Sequence, residues 1–140
     1  MLYSQEITVA ANTTEANASE TVIKVTRGVI KKIIYQPRPG HSALCHARVF
    51  YQEHQIAPVD RNTDLHGDTF PIEWEEYEEL FTDPYELVIR AWNLDDTYSH
   101  TFDISFVIML EEVAQPLDFN KLIKSILNIF SPTRIFGGSS

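Results

Sequence analysis

Apolar and polar residues alternate along most of the first 110 positions, the period of a strand with one buried face. In "EITVA", Ile7 and Val9 share a side, and in "TVIKVT" Ile23 and Val25 do. Gly28 breaks that run, and "VIKKIIYQ" follows as another strand. Pro39 and Gly40 in "PRPGHS" predict a type II turn, proline presetting φ and glycine accepting a positive φ. "ALCHARVFY" sets Ala43, Cys45, Ala47, Val49 and Tyr51 against Leu44, His46, Arg48 and Phe50. "EHQIAP" predicts a short strand, and "VDRNTDLHGD" (59–68) has the composition of a loop. "TFPIEWEEY" alternates Phe70, Ile72 and Trp74 against Pro71, Glu73 and Glu75, with Pro71 marking an edge or a strand start. "PYELVIRAW" and "HTFDISFVIML" are the clearest strands, and the polar "NLDDTYS" between them predicts a hairpin. Phe102, Ile104, Phe106, Ile108 and Leu110 make one apolar face of the last strand.

This pattern predicts an all-β fold, an antiparallel β-sandwich of about eight strands, jelly-roll-like rather than immunoglobulin-like, over residues 1–113. Residues 114–140 change character and predict a C-terminal amphipathic helix followed by an extended arm. Phe119, Leu122, Ile123, Ile126, Leu127 and Phe130 recur at helical spacing as one stripe. Asp118, after Pro116, suits the N-cap, and Ser131-Pro132 stops the helix. "TRIFGGSS" then carries Ile135 and Phe136 onward. Full burial of the six stripe residues would contribute about 9–18 kcal/mol. Ordering roughly two dozen residues costs about 1–2 kcal/mol each. The segment therefore needs a receiving surface, and the eight apolar side chains just named are the expected docking residues. That surface is the chain's own sandwich, a neighbouring copy or another protein.

Charge narrows the partners. The net charge is −9; residues 113–140 carry Lys121, Lys124 and Arg134 against Asp118, leaving −11 on the rest. An acidic body without a Lys/Arg block repels phosphate backbones and excludes nucleic acid. A lipid surface is disfavoured for the same reason, and because the tail helix offers only two lysines and no tryptophan. The amino-terminal residues lack the basic start and apolar run of a signal peptide. No stretch reaches the roughly 20 apolar residues of a membrane span. Synthesis in a cytoplasm, where the chain stays soluble or joins an assembly, is the expectation, and the sequons at Asn12 and Asn17 are read as chance. The single cysteine, Cys45, forms no intrachain disulfide and reads as a small buried apolar residue.

The candidate chemistry is sparse. Glu73, Glu75, Glu76, Glu78 and Glu79 read as a solvated edge that guards against strand pairing, not as a sugar or metal site. Asp64, His66 and Asp68 in "DLHGD", and Asn93, Asp95, Asp96 and His100 in "NLDDTYSH", offer oxygen and imidazole groups. Neither stretch has EF-hand or zinc-motif spacing, and Asp and Asn are what turns use. His41, His46, His54, His66 and His100 are scattered along the chain. No HExxH, phosphate loop or recognisable triad spacing occurs. No enzyme, cofactor or metal is expected. Trp74, Trp92, Tyr77, Tyr85 and Tyr98 leave open a sugar-stacking platform, so a carbohydrate- or calcium-dependent binding module is the alternative.

"RGVIKKIIYQPRPGHSALCHARVFYQEHQIAPV" followed by "YELVIRAWNLDDTYSHTFDISFVI" resembles small β-sandwich virion proteins of the phage decoration, minor capsid and fibre type. The features that carry the resemblance are the Gly-Val-Ile strand start, the Pro-Gly turn before a strand, "HQIAP" and "WNLDDTYSH". It implies a structural, non-enzymatic role in a virion-like particle. It also implies a homo-oligomer, with a trimer favoured, that docks on other shell proteins through the tail. No functional residue transfers with it.

Overall fold

The computed structural model describes residues 1–110 together with Lys124, Ile126 and Leu127. The strands are β1 (Leu2–Val9), β2 (Ser19–Lys24), β3 (Gly28–Pro37), β4 (Cys45–Tyr51), β5 (His54–Ala57), β6 (Ile72–Leu80), β7 (Glu86–Asn93) and β8 (His100–Met109). A single 3-10 turn, Glu15–Asn17, joins β1 to β2. The strands form two antiparallel four-stranded sheets, ordered β1-β8-β3-β6 and β2-β7-β4-β5.

Alternation does what the sequence predicts along β4 and β8, whereas Phe70, Ile72 and Leu110, expected on apolar faces, are exposed. Cys45, Ala47, Val49 and Tyr51 are buried along β4, and Phe102, Ile104, Phe106 and Ile108 along β8. They join Ile7, Val9, Ile33, Tyr35, Leu87 and Ile89 in one apolar core. Small residues on one sheet (Cys45, Ala47, Ala91) leave room for large ones on the other (Tyr35, Phe102, Phe106), as close packing requires. Gly40 has φ 99°, as the expected turn demands. Gly28 does more than interrupt a run. A Cβ there would lie 2.3 Å from the Met109 carbonyl oxygen, so only glycine lets β3 start this close to β8.

The expected hairpin between the last two strands does not form. β7 pairs with β2 and β4, whereas β8 pairs with β1 and β3 in the other sheet. Both edges of each strand are already taken, so the segment between them crosses the sandwich. The buried Asn93 organises the crossing. Its side-chain amide donates to the carbonyls of Val9 (3.2 Å) and Tyr98 (2.9 Å), and its Oδ1 accepts from the Asp95 N–H (3.0 Å). That side chain ties the end of β7 to β1 of the opposite sheet.

The C-terminal unit expected over 114–140 lies almost wholly outside the described residues. Phe119, Leu122, Ile123, Phe130, Ile135 and Phe136 are among those outside them. Lys124, Ile126 and Leu127 have helical backbone and are exposed.

Candidate functional site

Loop 59–68 contains a local return of strand geometry. Leu65 pairs with Ala47 as an isolated antiparallel bridge, Ala47 N–H donating to Leu65 O (2.9 Å) and Leu65 N–H to Ala47 O (2.8 Å). Both side chains are buried. Alternation then directs their neighbours away from the core: His46 and Arg48 from β4, Asp64 and His66 from the loop. The bridge sets His46 opposite His66 and Arg48 opposite Asp64, so four polar side chains meet on the outer face of the β2-β7-β4-β5 sheet.

The histidines converge on one oxygen. His46 Nδ1 lies 2.6 Å and His66 Nδ1 2.8 Å from Asp64 Oδ1. An ionised carboxylate only accepts, so each Nδ1–H donates. Burial alone would push the Asp64 carboxyl up, but the hydrogen bonds from His46 and His66 outweigh it and hold the group below its ordinary value. The carboxylate is therefore charged at neutral pH. Trp92, the register partner of His46 on β7, stacks on that imidazole with centroids 5.5 Å apart and planes 8° from parallel. Arg48 covers the same indole, its guanidinium 5.1 Å from the ring centroid. Arg48 Nε donates to Thr63 O (3.1 Å) and Nη1 to Glu15 (2.8 Å), while Nη2 stands 4.0 Å from Asp64 Oδ2. Beside the cluster, Arg48, Phe50, His54, Gln55, Arg61 and Arg90 line an open depression of about 330 Å³.

A second imidazole pair sits at one end of the sandwich. His41 and His100 are both buried, with ring centroids 4.7 Å apart. His41 Nε2–H donates to Thr101 O (2.7 Å), and His100 Nε2 meets Asp95 Oδ2 at 2.8 Å. Burial, followed by the charge of His100, lowers the His41 pKa; the Thr101 carbonyl and Asp68 pull the other way.

The remaining loop carboxylates serve turns. Asp95 accepts from the N–H groups of Thr97 (2.8 Å) and Tyr98 (3.2 Å), and these bonds, with His100, hold it below its ordinary value. Asp68 accepts from Gly40 N–H (3.0 Å) and Ser42 N–H (2.9 Å) and is lowered chiefly by Ser42 and Thr69. On β6, Glu73, Glu75 and Glu79 are exposed, Glu73 pairs with Lys32 at 3.2 Å, and Trp74 packs inward against the core. Burial, with Glu76 and Glu79 nearby, raises Glu78. Cys45 is buried, and burial pushes its thiol up to about 12, which leaves no thiolate nucleophile at neutral pH. The aromatic residues do not assemble into one platform. Trp92 is buried beneath Arg48 and His46, while Trp74 and Tyr77 stand on β6 in the other sheet.

Scattered in sequence, four of the five histidines are thus gathered in space as two pairs, and His54 stands apart. Motif spacing misses the His46–Asp64–His66 cluster because its members come from a strand and a loop 18 residues apart. A signal was present nonetheless. "HAR" and "DLH" each place one apolar residue between two polar ones, which is what two short paired strands with the same inner face require.

No protein-family model matches the chain, and no curated protein matches it. Among solved structures the chain is similar to FeII HppE, with 9% identity and a TM-score of 0.40 over 76% of this chain and 43% of that one. The chain thus spans less than half the length of that structure. It is also similar to the Yersinia pseudotuberculosis-derived mitogen, YPM, with 11% identity and a TM-score of 0.39 over 84% of this chain and 91% of that one.

Proposed function

We propose that the chain is a non-enzymatic structural protein of a virion-like assembly: a jelly-roll sandwich that self-associates, as a trimer, and docks on neighbouring shell proteins through its C-terminal segment. The observation that carries this reading is the strand order. Sheets ordered β1-β8-β3-β6 and β2-β7-β4-β5 support the jelly-roll reading, two Greek keys of eight strands, an architecture that viral capsid domains share with lectins and cupins. The interior agrees with a platform. It is filled by Tyr35, Phe102, Phe106 and aliphatic side chains, whereas the buried polar residues, His41, Asn93 and His100, lie where the chain crosses between sheets. Ile126 and Leu127, two members of the apolar stripe, are exposed on the single chain, which favours a receiving surface on another subunit.

Sedimentation equilibrium tests the reading. The full chain is expected to sediment as a trimer and the double variant Ile126→Glu, Leu127→Glu as a monomer with an unchanged circular dichroism spectrum. A full chain that stays monomeric over the accessible concentration range would refute self-association, and an unaltered trimer in the variant would refute the role of the stripe.

A further inference from the structure

We propose that His46, Asp64 and His66 bind a divalent transition ion of the zinc class on the outer face of the β2-β7-β4-β5 sheet. The inference is independent of the structural role proposed above, and three observations carry it. First, one ligand atom from each residue lies within 4.8 Å of the other two, two imidazole nitrogens and a carboxylate oxygen. Ligand atoms about 2.0–2.2 Å from a tetrahedral zinc stand roughly 3.3 Å apart, so small rotations open the cluster around an ion. Second, the frame is fixed. The Ala47–Leu65 bridge holds the two segments in register, and the Trp92 stack sets the plane of the His46 ring. Third, the two oxygens of the Asp64 carboxylate face different neighbours, Oδ1 the two imidazoles and Oδ2 the guanidinium. That guanidinium belongs to Arg48, whose Nε and Nη1 are engaged by Thr63 and Glu15, which leaves Oδ1 to the ion.

Without an ion, both Nδ1–H groups donate to a single oxygen. With one, each imidazole carries its single ring proton on Nε2, and the Nδ1 lone pair binds the metal. Two nitrogens and one oxygen suit zinc and its neighbours in the transition series, whereas calcium takes six to eight oxygens. His66, with half its side chain exposed, leaves one side of the ion open to water.

Isothermal titration of the full, tag-free chain with zinc chloride tests this. All five histidines and the only cysteine lie within residues 1–110, so the remainder adds no competing imidazole or thiol. One equivalent is expected to bind to the wild type, and calcium chloride is expected to give no saturable heat. His66→Ala and Asp64→Asn should each weaken zinc binding at least about tenfold. His54→Ala, at an exposed imidazole outside the cluster, should bind as the wild type does. Circular dichroism and urea unfolding establish that each variant is folded, and His66→Ala alters the most exposed of the three ligands. Absence of zinc binding by the wild type overturns the site. So does wild-type affinity in folded His66→Ala, or loss of binding in His54→Ala.

Discussion

The Tyr35 hydroxyl is buried between the sheets and has no hydrogen-bond partner among the described residues. Burial, with Cys45 and Asp64 adding smaller contributions, raises its pKa well above the ordinary value, so the group stays neutral and gains nothing from ionisation. A buried hydroxyl that loses its bonds to water costs about 1–3 kcal/mol. The ring itself packs on Phe102, centroids 5.1 Å apart, and fills space that phenylalanine would fill equally. Tyr35→Phe should therefore raise stability by about 1–2 kcal/mol in urea unfolding, where most core substitutions lower it. His41 has the opposite consequence. Its neighbours are His100, itself bonded to Asp95, together with Asp68 and the Thr101 carbonyl, and burial lowers its pKa from 6.5. At about pH 7.5 and above, well over the ordinary value of 6.5, the ring is neutral in both the folded and the unfolded chain, and its contribution is fully present. As pH falls below that value the unfolded chain takes up a proton that the folded chain resists, so stability drops until the folded-state pKa is passed. The urea midpoint should fall between about pH 7.5 and 5, and His41→Gln, which retains a donor for Thr101, should flatten that slope. An equal slope in the two proteins would show that other groups govern it.

At the scale of elements, strand existence and facing were legible, and pairing was not. Alternation in β4 and β8 told which side chains enter the core, because a half-buried strand needs a period of two. It carried no information on which sheet a strand joins, since β7 and β8 present the same pattern to the core from opposite sheets. The polar segment between them reads as a hairpin turn, and only the distant partners of Asn93 reveal a crossing. Loop 59–68 failed for a related reason: its single bridging residue is too short to register as a strand, yet it builds the histidine cluster. The acidic reading of β6 fares better. Among the described residues that strand pairs only with β3, at the end of its sheet, and Glu73 and Glu75 are exposed. The Lys32–Glu73 ion pair is exposed, so it contributes little to stability, about 0–1 kcal/mol. The charges matter instead as guards. Glu73→Val with Glu75→Val should shift the unfolding midpoint only slightly but produce concentration-dependent light scattering, as an open, apolar edge invites pairing between copies. A soluble double variant with wild-type scattering would remove that role.

At the scale of the whole molecule, the core cluster among the described residues runs from Ile7 to Ile108 and draws on both sheets. If the stripe from Phe119 to Phe130 were docked on its own sandwich, removing it would forfeit an appreciable part of the about 9–18 kcal/mol that its burial can contribute. If it docks on another copy, dilution already removes that contribution. A chain ended after residue 115 should therefore keep the thermal midpoint of the full chain in dilute solution and lose the concentration dependence of that midpoint, because only association couples stability to protomer concentration. Salt adds an independent signature. The −11 carried outside the tail makes copies repel at low ionic strength, so added salt should strengthen association of the full chain and leave the truncated chain unaffected. Differential scanning calorimetry across concentration and salt separates the cases. A midpoint several degrees lower in the truncated chain at every concentration would place the stripe on its own sandwich and turn the proposed docking arm into an intramolecular cap.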